Sequence, residues 1–361
     1  MMQIVRNKKI LTVVGARPQF VKAAALSKAI SLDSEIDEVV VHTGQHFDAN
    51  MSDVFFKELN IPKPKYILNI NSLSHGAMTG RMLEEIEKII LKEKPDALLV
   101  FGDTNSTLAG ALAASKLHVP VAHVEAGLRS YNMLMPEEQN RRLTDAISNW
   151  LFCPSDAAVD CLVKEGITED NAQIAVVGDV MYDALLQFSS HAKLLPNLPA
   201  SYALLTLHRA ENTDDSDRMA EIVSALNALV ENGMDIVFPV HPRTKKILSE
   251  YNLSEKVHCI EPVGYLEMLS LLQQSSLVLT DSGGLQKEAY FSGKNCITLR
   301  TETEWIELID LEVNVLANSA EDIVFEAQRR YDIQIENTTS IYGDGTACVK
   351  IVEEIKKGLY D

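Results

Sequence analysis

The chain has 361 residues, 46% apolar and 23% charged, with a formal net charge of −18. That length points to two domains of ordinary size, and no run of about 18 uninterrupted apolar residues marks a membrane span. The negative charge argues against non-specific nucleic-acid binding, and it requires any anionic ligand to be met by a local cluster of positive groups.

Short apolar, β-branched runs alternate with longer helix-period segments along the chain. The first strand is expected at 9–15 (KILTVVG); it ends in Gly-Ala-Arg-Pro and does not read as a signal peptide. Further strands are expected at 38–44, 96–103, 119–126 and 150–155, and then at 175–178, 202–208, 235–241, 257–262, 277–282 and 295–300. Residues 76–93 have helical periodicity, with Met78, Met82, Ile86, Ile89 and Ile90 forming a core-facing stripe. Serines and two prolines cluster in LQFSSHAKLLPNLPAS (186–201), the expected boundary. The pattern predicts two doubly wound α/β domains, 1–185 and 186–344, with a final helix over 345–361 that crosses back to the first. The five cysteines (Cys153, Cys161, Cys259, Cys296, Cys348) form no C-x-x-C and fit buried thiols in a reducing cytosol.

Open α/β sheets bind ligands beyond the carboxyl ends of their strands, and polar residues collect there. Arg17 and Lys22 follow the first strand, His42, Gln45 and His46 the second, and Asp103, Glu125 and Arg129 the next two. In the second half His208, Arg209 and Glu211, then His241 and Arg243, then Ser282, Gly283, Gly284 and Glu288 follow strands. Neither G-x-G-x-x-G nor a Walker A sequence occurs. The S-G-G turn opening a helix is an anion site by its free N–H groups, although an ordinary strand-to-helix turn has the same form. Glu288 suits the paired hydroxyls of a ribose, so an anion beside it implies a nucleotide. His42 and His46 lack a third ligand, so no metal is expected. Asp103, Glu125 and Glu137 form an acidic group suited to acid–base work, with Arg141 on the face of Glu137 if that stretch is helical.

Taken together, GARPQFVKAA, HTGQHFD, GDTNSTLAG, HVEAGLRS, PEEQNRRLTD, HRAEN, PVHPRT, TDSGGLQKEA, TETEW and YGDGTA run nearly end to end. On these motifs the chain resembles the non-hydrolysing UDP-N-acetylglucosamine 2-epimerases. The resemblance implies two Rossmann-like domains in a GT-B arrangement with an interdomain cleft, a homodimer, and no nicotinamide or metal cofactor. It further implies inversion at carbon 2 of a UDP-2-acetamido sugar by elimination and re-addition of UDP, in the cytoplasm, for surface-polysaccharide or O-antigen synthesis.

Carried over motif by motif, Asp103, Glu125, Glu137 and His208 are the catalytic set, with Asp103 and Glu137 moving protons at carbon 2. Arg17, Lys22, Arg141, His241, Ser282, Gly283 and Gly284 hold the pyrophosphate or its partners, Glu288 the ribose, and Arg300 the nucleotide side. Ala210 replaces an arginine that belongs, in the better-known members, to a regulatory substrate site, which puts activation by substrate in question. The GARPQF, HTGQHFDANMS and TETEW forms look closer to the subgroup acting on UDP-2,3-diacetamido-2,3-dideoxyglucuronate, whose carboxylate Arg129 or Arg142 could receive. Rival readings are a GT-B glycosyltransferase, a hydrolysing epimerase and a non-catalytic nucleotide-sugar binder.

Overall fold

The computed structural model describes residues 6–45, 63–335 and 341–360, without the side chains of Arg17, Pro242 and Arg243. The chain divides into two compact units. The described residues up to Gln187, with those of 341–360, make one, and the residues from Phe188 onward make the other.

The first unit holds a seven-stranded parallel sheet in the order β3-β2-β1-β4-β5-β6-β7. Its strands are β1 (Lys8–Val14), β2 (Ile36–His42), β3 (Tyr66–Ile67), β4 (Ala97–Phe101), β5 (Val121–Val124), β6 (Trp150–Cys153) and β7 (Gln173–Val176). The helices between them are α1 (Arg17–Ser31), α2 (His75–Glu93), α3 (Asn105–Lys116), α4 (Pro136–Ile147), α5 (Asp156–Lys164) and α6 (Val180–Ser189). Successive strand residues point to opposite faces. Leu11, Val13, Leu98 and Val100 pack on one face with Met82, Ile86, Ile89 and Ile90 of α2, the stripe expected from periodicity.

The second unit repeats the plan with six parallel strands, ordered β10-β9-β8-β11-β12-β13. These are β8 (Ala203–Thr206), β9 (Ile236–Pro239), β10 (Val257–Ile260), β11 (Leu277–Thr280), β12 (Cys296–Thr298) and β13 (Asn314–Leu316). Its helices are α7 (Ala210–Thr213), α8 (Ser216–Glu231), α9 (Pro242–Leu248), α10 (Tyr265–Gln274), α11 (Gly283–Phe291), α12 (Ile306–Asp310) and α13 (Ala320–Arg330). Leu205, Phe238 and Leu279 pack with α8 and α13, while Leu204, Val237 and Val278 pack with α10 and α11. Strands buried on both faces read as continuous apolar runs, which is why they stand out in the sequence. The expected strands all occur; β1, β2 and β7 keep the expected length but begin one or two residues earlier, and the others are shorter by two to four residues. The two-residue β3 and the three-residue β13 were not foreseen, being too short to carry a period.

The last helix, α14 (Ala347–Tyr360), packs on α1, and its Lys356 ion-pairs with Asp33 at 2.9 Å. The α14 N-terminus is capped from outside. Asp183 of α6 accepts the backbone N–H groups of Ala347 (3.1 Å) and Cys348 (2.8 Å), a bond set that contributes about 1 kcal/mol. Among the described residues no helix is long and apolar enough to cross a membrane. Of the five cysteines, all unpaired, Cys153, Cys296 and Cys348 are buried, Cys161 is half-buried and Cys259 is exposed.

At the amino ends of the first sheet, Glu93 closes α2 against β1 and β3. It takes Lys65 Nζ at 2.7 Å, the Tyr66 hydroxyl at 2.6 Å and Lys9 Nζ at 3.1 Å. The hydrogen bond from Lys65, then that from Tyr66, pulls its carboxyl from an ordinary 4.5 down to about 2. A depressed carboxyl pKa stabilises the fold above the unfolded value and loses that contribution as pH falls through the folded one. Glu93→Gln is therefore expected to be less stable than the parent at pH 7. The gap measured by chemical denaturation should close as pH falls from about 4.5 to about 2.

Candidate active site

In both sheets the strand order reverses once, between β1 and β4 and between β8 and β11. Such switch points leave a crevice at the carboxyl ends of the strands, since the following helices depart to opposite faces. The polar residues singled out above gather at these two places.

At the first switch point, Gly15 follows β1 so closely against Ser106 and Thr43 that a β-carbon would lie 2.0 Å from Ser106 Oγ. Buried Gln19 ties the two sides together. Its Oε1 accepts the N–H groups of Gly15 (2.8 Å) and Ala16 (3.0 Å), and its Nε2 donates to the Phe101 carbonyl at 2.7 Å. Gly102 turns the chain at φ +59°, and Asp103 follows. Asp103 Oδ2 receives Arg141 Nη2 at 2.8 Å and Nε at 3.1 Å, and its carbonyl accepts Asn140 Nδ2 at 2.9 Å. Both partners lie on α4, so the Asp103 turn is bound to that helix. Glu125 stands at φ +71°, a left-handed conformation that costs a residue with a β-carbon about 1 kcal/mol or more. Its buried carboxylate ion-pairs with the buried ammonium of Lys22.

Several expectations change here. Arg141 does not pair with Glu137, four residues earlier; it grips Glu138, three residues earlier, at 2.7 Å, together with Asp103. The reason is burial. Glu138 is fully enclosed and also accepts the backbone N–H groups of Ser130 (2.9 Å) and Tyr131 (3.2 Å). Glu137 is half-exposed and forms no hydrogen bond or ion pair among the described residues. Lys22 meets Glu125 in place of a phosphate. Arg129 and Arg142 both engage Glu165, and Arg129 also engages Asp145 at 2.7 Å, so the carboxylate-receiving role considered for them does not fit. Arg17 opens α1, but its side chain and the whole of His46 lie outside the described residues. His42 is buried and stacked on Phe20, ring centroids 4.9 Å apart, and burial pushes its pKa down to about 4.

At the second switch point, Asp281 is the organising group, and it was missed because it reads as the end of an apolar strand. Fully buried, its Oδ2 accepts the backbone N–H groups of His208 (2.9 Å) and Arg209 (2.8 Å) and Asn212 Nδ2 (3.2 Å). Its Oδ1 lies 3.1 Å from His208 Nδ1. Burial raises the Asp281 carboxyl pKa, but the contacts to His208 and Arg209 outweigh it and hold the net value low. The carboxylate thus lies behind the half-exposed imidazole at ion-pair distance, while its other oxygen fixes the backbone at His208 and Arg209.

Ser282 then takes the N-cap position of α11 without a side-chain capping hydrogen bond, and the helix begins at Gly283 with its first N–H groups unsatisfied by the helix. The Gly283 carbonyl accepts the Trp305 indole N–H at 2.9 Å, and Lys287 Nζ sits 3.9 Å above that indole ring. Arg300 is buried; Nε meets Glu211 and Nη1 meets Glu304, each at 3.1 Å, while Nη2 has no hydrogen-bond partner among the described residues. Glu288 is buried beside the Tyr265 hydroxyl, whose pKa is raised well above the usual value by burial and then by that carboxylate. His241 is exposed just beyond β9. Among the described residues no group of three His, Cys, Asp or Glu side chains could hold a metal ion.

The sequence matches the family described as UDP-N-acetylglucosamine 2-epimerase over residues 28–356. It is 55% identical to the UDP-2,3-diacetamido-2,3-dideoxy-D-glucuronate 2-epimerase of Pseudomonas aeruginosa, across 97% of this chain and 99% of that one. It is 35% identical to the UDP-N-acetylglucosamine 2-epimerase of Escherichia coli K12, across 96% and 98%. Among solved structures, the Methanocaldococcus jannaschii UDP-GlcNAc 2-epimerase in complex with UDP-GlcNAc and UDP superposes with a TM-score of 0.88 at 44% identity, covering 97% of this chain and 100% of that one. The sequence, the two parallel sheets and their switch-point residues agree on one conclusion: the chain belongs to the UDP-N-acetylglucosamine 2-epimerase family.

Proposed function

We propose that the protein is a non-hydrolysing UDP-sugar 2-epimerase that inverts carbon 2 of a UDP-2-acetamido sugar. The observation that carries this reading is the near full-length likeness to relatives of that name, with Asp103 and Glu125 at the first switch point and the α11 N-terminus at the second. The hydrogen at carbon 2 is not acidic enough for direct removal. Eliminating UDP across carbons 1 and 2 instead yields an enzyme-bound 2-acetamidoglycal, and re-adding UDP with a proton on the opposite face completes the inversion. One group removes the carbon-2 proton, another delivers it, and the developing charge on UDP must be met by fixed positive groups.

In this reading Asp103, Glu125, Glu137 and His208 form the acid–base and electrostatic set of the reaction. Glu137 suits proton transfer because its carboxylate is half-exposed and unbonded among the described residues. His208, oriented by Asp281, meets the departing diphosphate. The N–H groups of Gly283 and Gly284, with Ser282, His241, Arg17 and the remaining Arg300 nitrogen, bind the UDP, and Glu288 takes the ribose. Lys22 and Arg141 act on the diphosphate through the carboxylates they hold. We take the sugar to be the 2,3-diacetamido-2,3-dideoxyglucuronate form, because the relative of that name is 55% identical, against 44% for the Methanocaldococcus jannaschii UDP-GlcNAc 2-epimerase. UDP-GlcNAc is the second reading. The resemblance adds a cytoplasmic homodimer that supplies surface-polysaccharide synthesis.

Incubation with each UDP-sugar in heavy water is expected to return both epimers with UDP attached and deuterium at carbon 2. Epimerisation without deuterium uptake would exclude elimination. Free sugar as the sole product would favour the hydrolysing reaction, and sugar on an acceptor would favour a transferase. Asp103→Asn and Glu137→Gln should each retain UDP binding by calorimetry while turnover falls about 100-fold or more. Unchanged turnover would return those side chains to a structural role.

A further inference from the structure

Beneath the carboxylates of the first unit lies a buried string of charged groups that the proposed chemistry does not use. His123, on β5, has no exposed surface. Its Nε2 lies 2.7 Å from the Gly102 carbonyl oxygen and its Nδ1 2.7 Å from Asp145 Oδ1. The other Asp145 oxygen accepts Arg129 Nη1 at 2.7 Å and the Gly127 N–H at 3.2 Å, and Arg129 continues to Glu165.

The proton count follows from these partners. A carbonyl oxygen only accepts, so Nε2 bears a hydrogen. The other Asp145 oxygen accepts from the guanidinium of Arg129, which is always protonated, so Asp145 is the carboxylate of an ion pair. Oδ1 therefore only accepts as well, and Nδ1 bears the second hydrogen. Both ring nitrogens thus face oxygen acceptors at 2.7 Å, the spacing of charge-assisted bonds.

Gly102 is held at both its backbone groups, its N–H by the Val124 carbonyl at 3.0 Å and its C=O by His123. A β-carbon there would sit 3.1 Å from Glu125 Oε2, so this turn also lies against the Glu125 carboxylate. The Gly102 carbonyl and the Asp103 amide share one planar peptide group. Anchoring that oxygen anchors the nitrogen of Asp103, and with it the direction in which the Asp103 side chain leaves the turn.

We propose that His123 is a positioning residue: a buried imidazolium, pinned by Asp145 and Arg129, that locks the Gly102–Asp103 peptide and keeps the Asp103 carboxylate in register with Glu125. The proposal rests on the epimerase reading for its kinetic consequence and on ring protonation for its physical basis.

The test compares His123→Leu, which removes the donor, with His123→Gln, whose amide can still donate to Gly102, in the full-length protein. His123→Leu should lower kcat on the order of 100-fold, the scale for a misplaced catalytic group, with KM for the UDP-sugar little changed. His123→Gln should recover most of the loss. A fully active His123→Leu, or equal losses in two variants with native circular dichroism, overturns the proposal. Should the leucine variant fail to fold, nitrogen-15 NMR of histidine-labelled parent protein decides. Hydrogens on both His123 ring nitrogens are expected, and a neutral ring overturns the proposal. A parent protein that epimerises no UDP-2-acetamido sugar removes the functional reading alone, and ring protonation then settles whether the buried cation holds the peptide.

Discussion

Charge compensation at the carboxyl end of the first sheet is the constraint on which the site depends. Carboxylates converge there in a chain that carries a net charge of −18. Buried charge is tolerated only when paired and hydrogen-bonded, and breaking one partner away costs several kcal/mol. The structure answers with three pairings: Asp103 with Arg141, Glu125 with Lys22, and Asp145 with Arg129 and His123. The first two place a cation from a helix behind a carboxylate that follows a strand, and the third joins a carboxylate of α4 to a strand histidine and a loop arginine. Glu137 stands outside this scheme, half-exposed and unpaired among the described residues.

The second unit gathers hydrogen-bond donors at its own switch point. The start of α11 supplies backbone N–H groups, and the Trp305 indole fixes the Gly283 carbonyl of the same turn. Arg300 is held by two carboxylates and keeps one nitrogen with no hydrogen-bond partner among the described residues, so an N–H donor is oriented in advance. Asp281 connects this region to His208 through side-chain and backbone contacts. Preorganisation of this kind reduces the reorganisation needed when charge develops on a leaving group.

Local sequence determined much of this. The apolar runs located the strands because parallel strands covered on both faces must be apolar throughout, and helical period located α2 because one of its sides faces the core. Residues at strand ends were legible as a group for the same topological reason: ligand sites in open sheets lie there whatever the ligand. Family motifs then named the chemistry, since the run of matched segments covers most of the chain.

Partner choice was decided only by tertiary structure. Spacing of four made Glu137 the natural partner of Arg141, but helical spacing states which groups are able to meet, and burial of Glu138 decides which do. Lys22 and Arg129 carry the same charge that a phosphate or carboxylate ligand needs. Their contacts with Glu125, Asp145 and Glu165 exist only once strands and helices distant in sequence are packed together. Asp281 and His123 were silent in the sequence for a related reason: each sits in or beside an apolar strand, and the meaning of a buried titratable group lies in the atoms across from it. The sequence by itself determined where the backbone runs and which residues reach the strand ends, because those follow from local periodicity. The fold decided which charges are neutralised and which remain for a ligand, because electrostatic pairing depends on distances of a few ångströms between segments that share no local pattern.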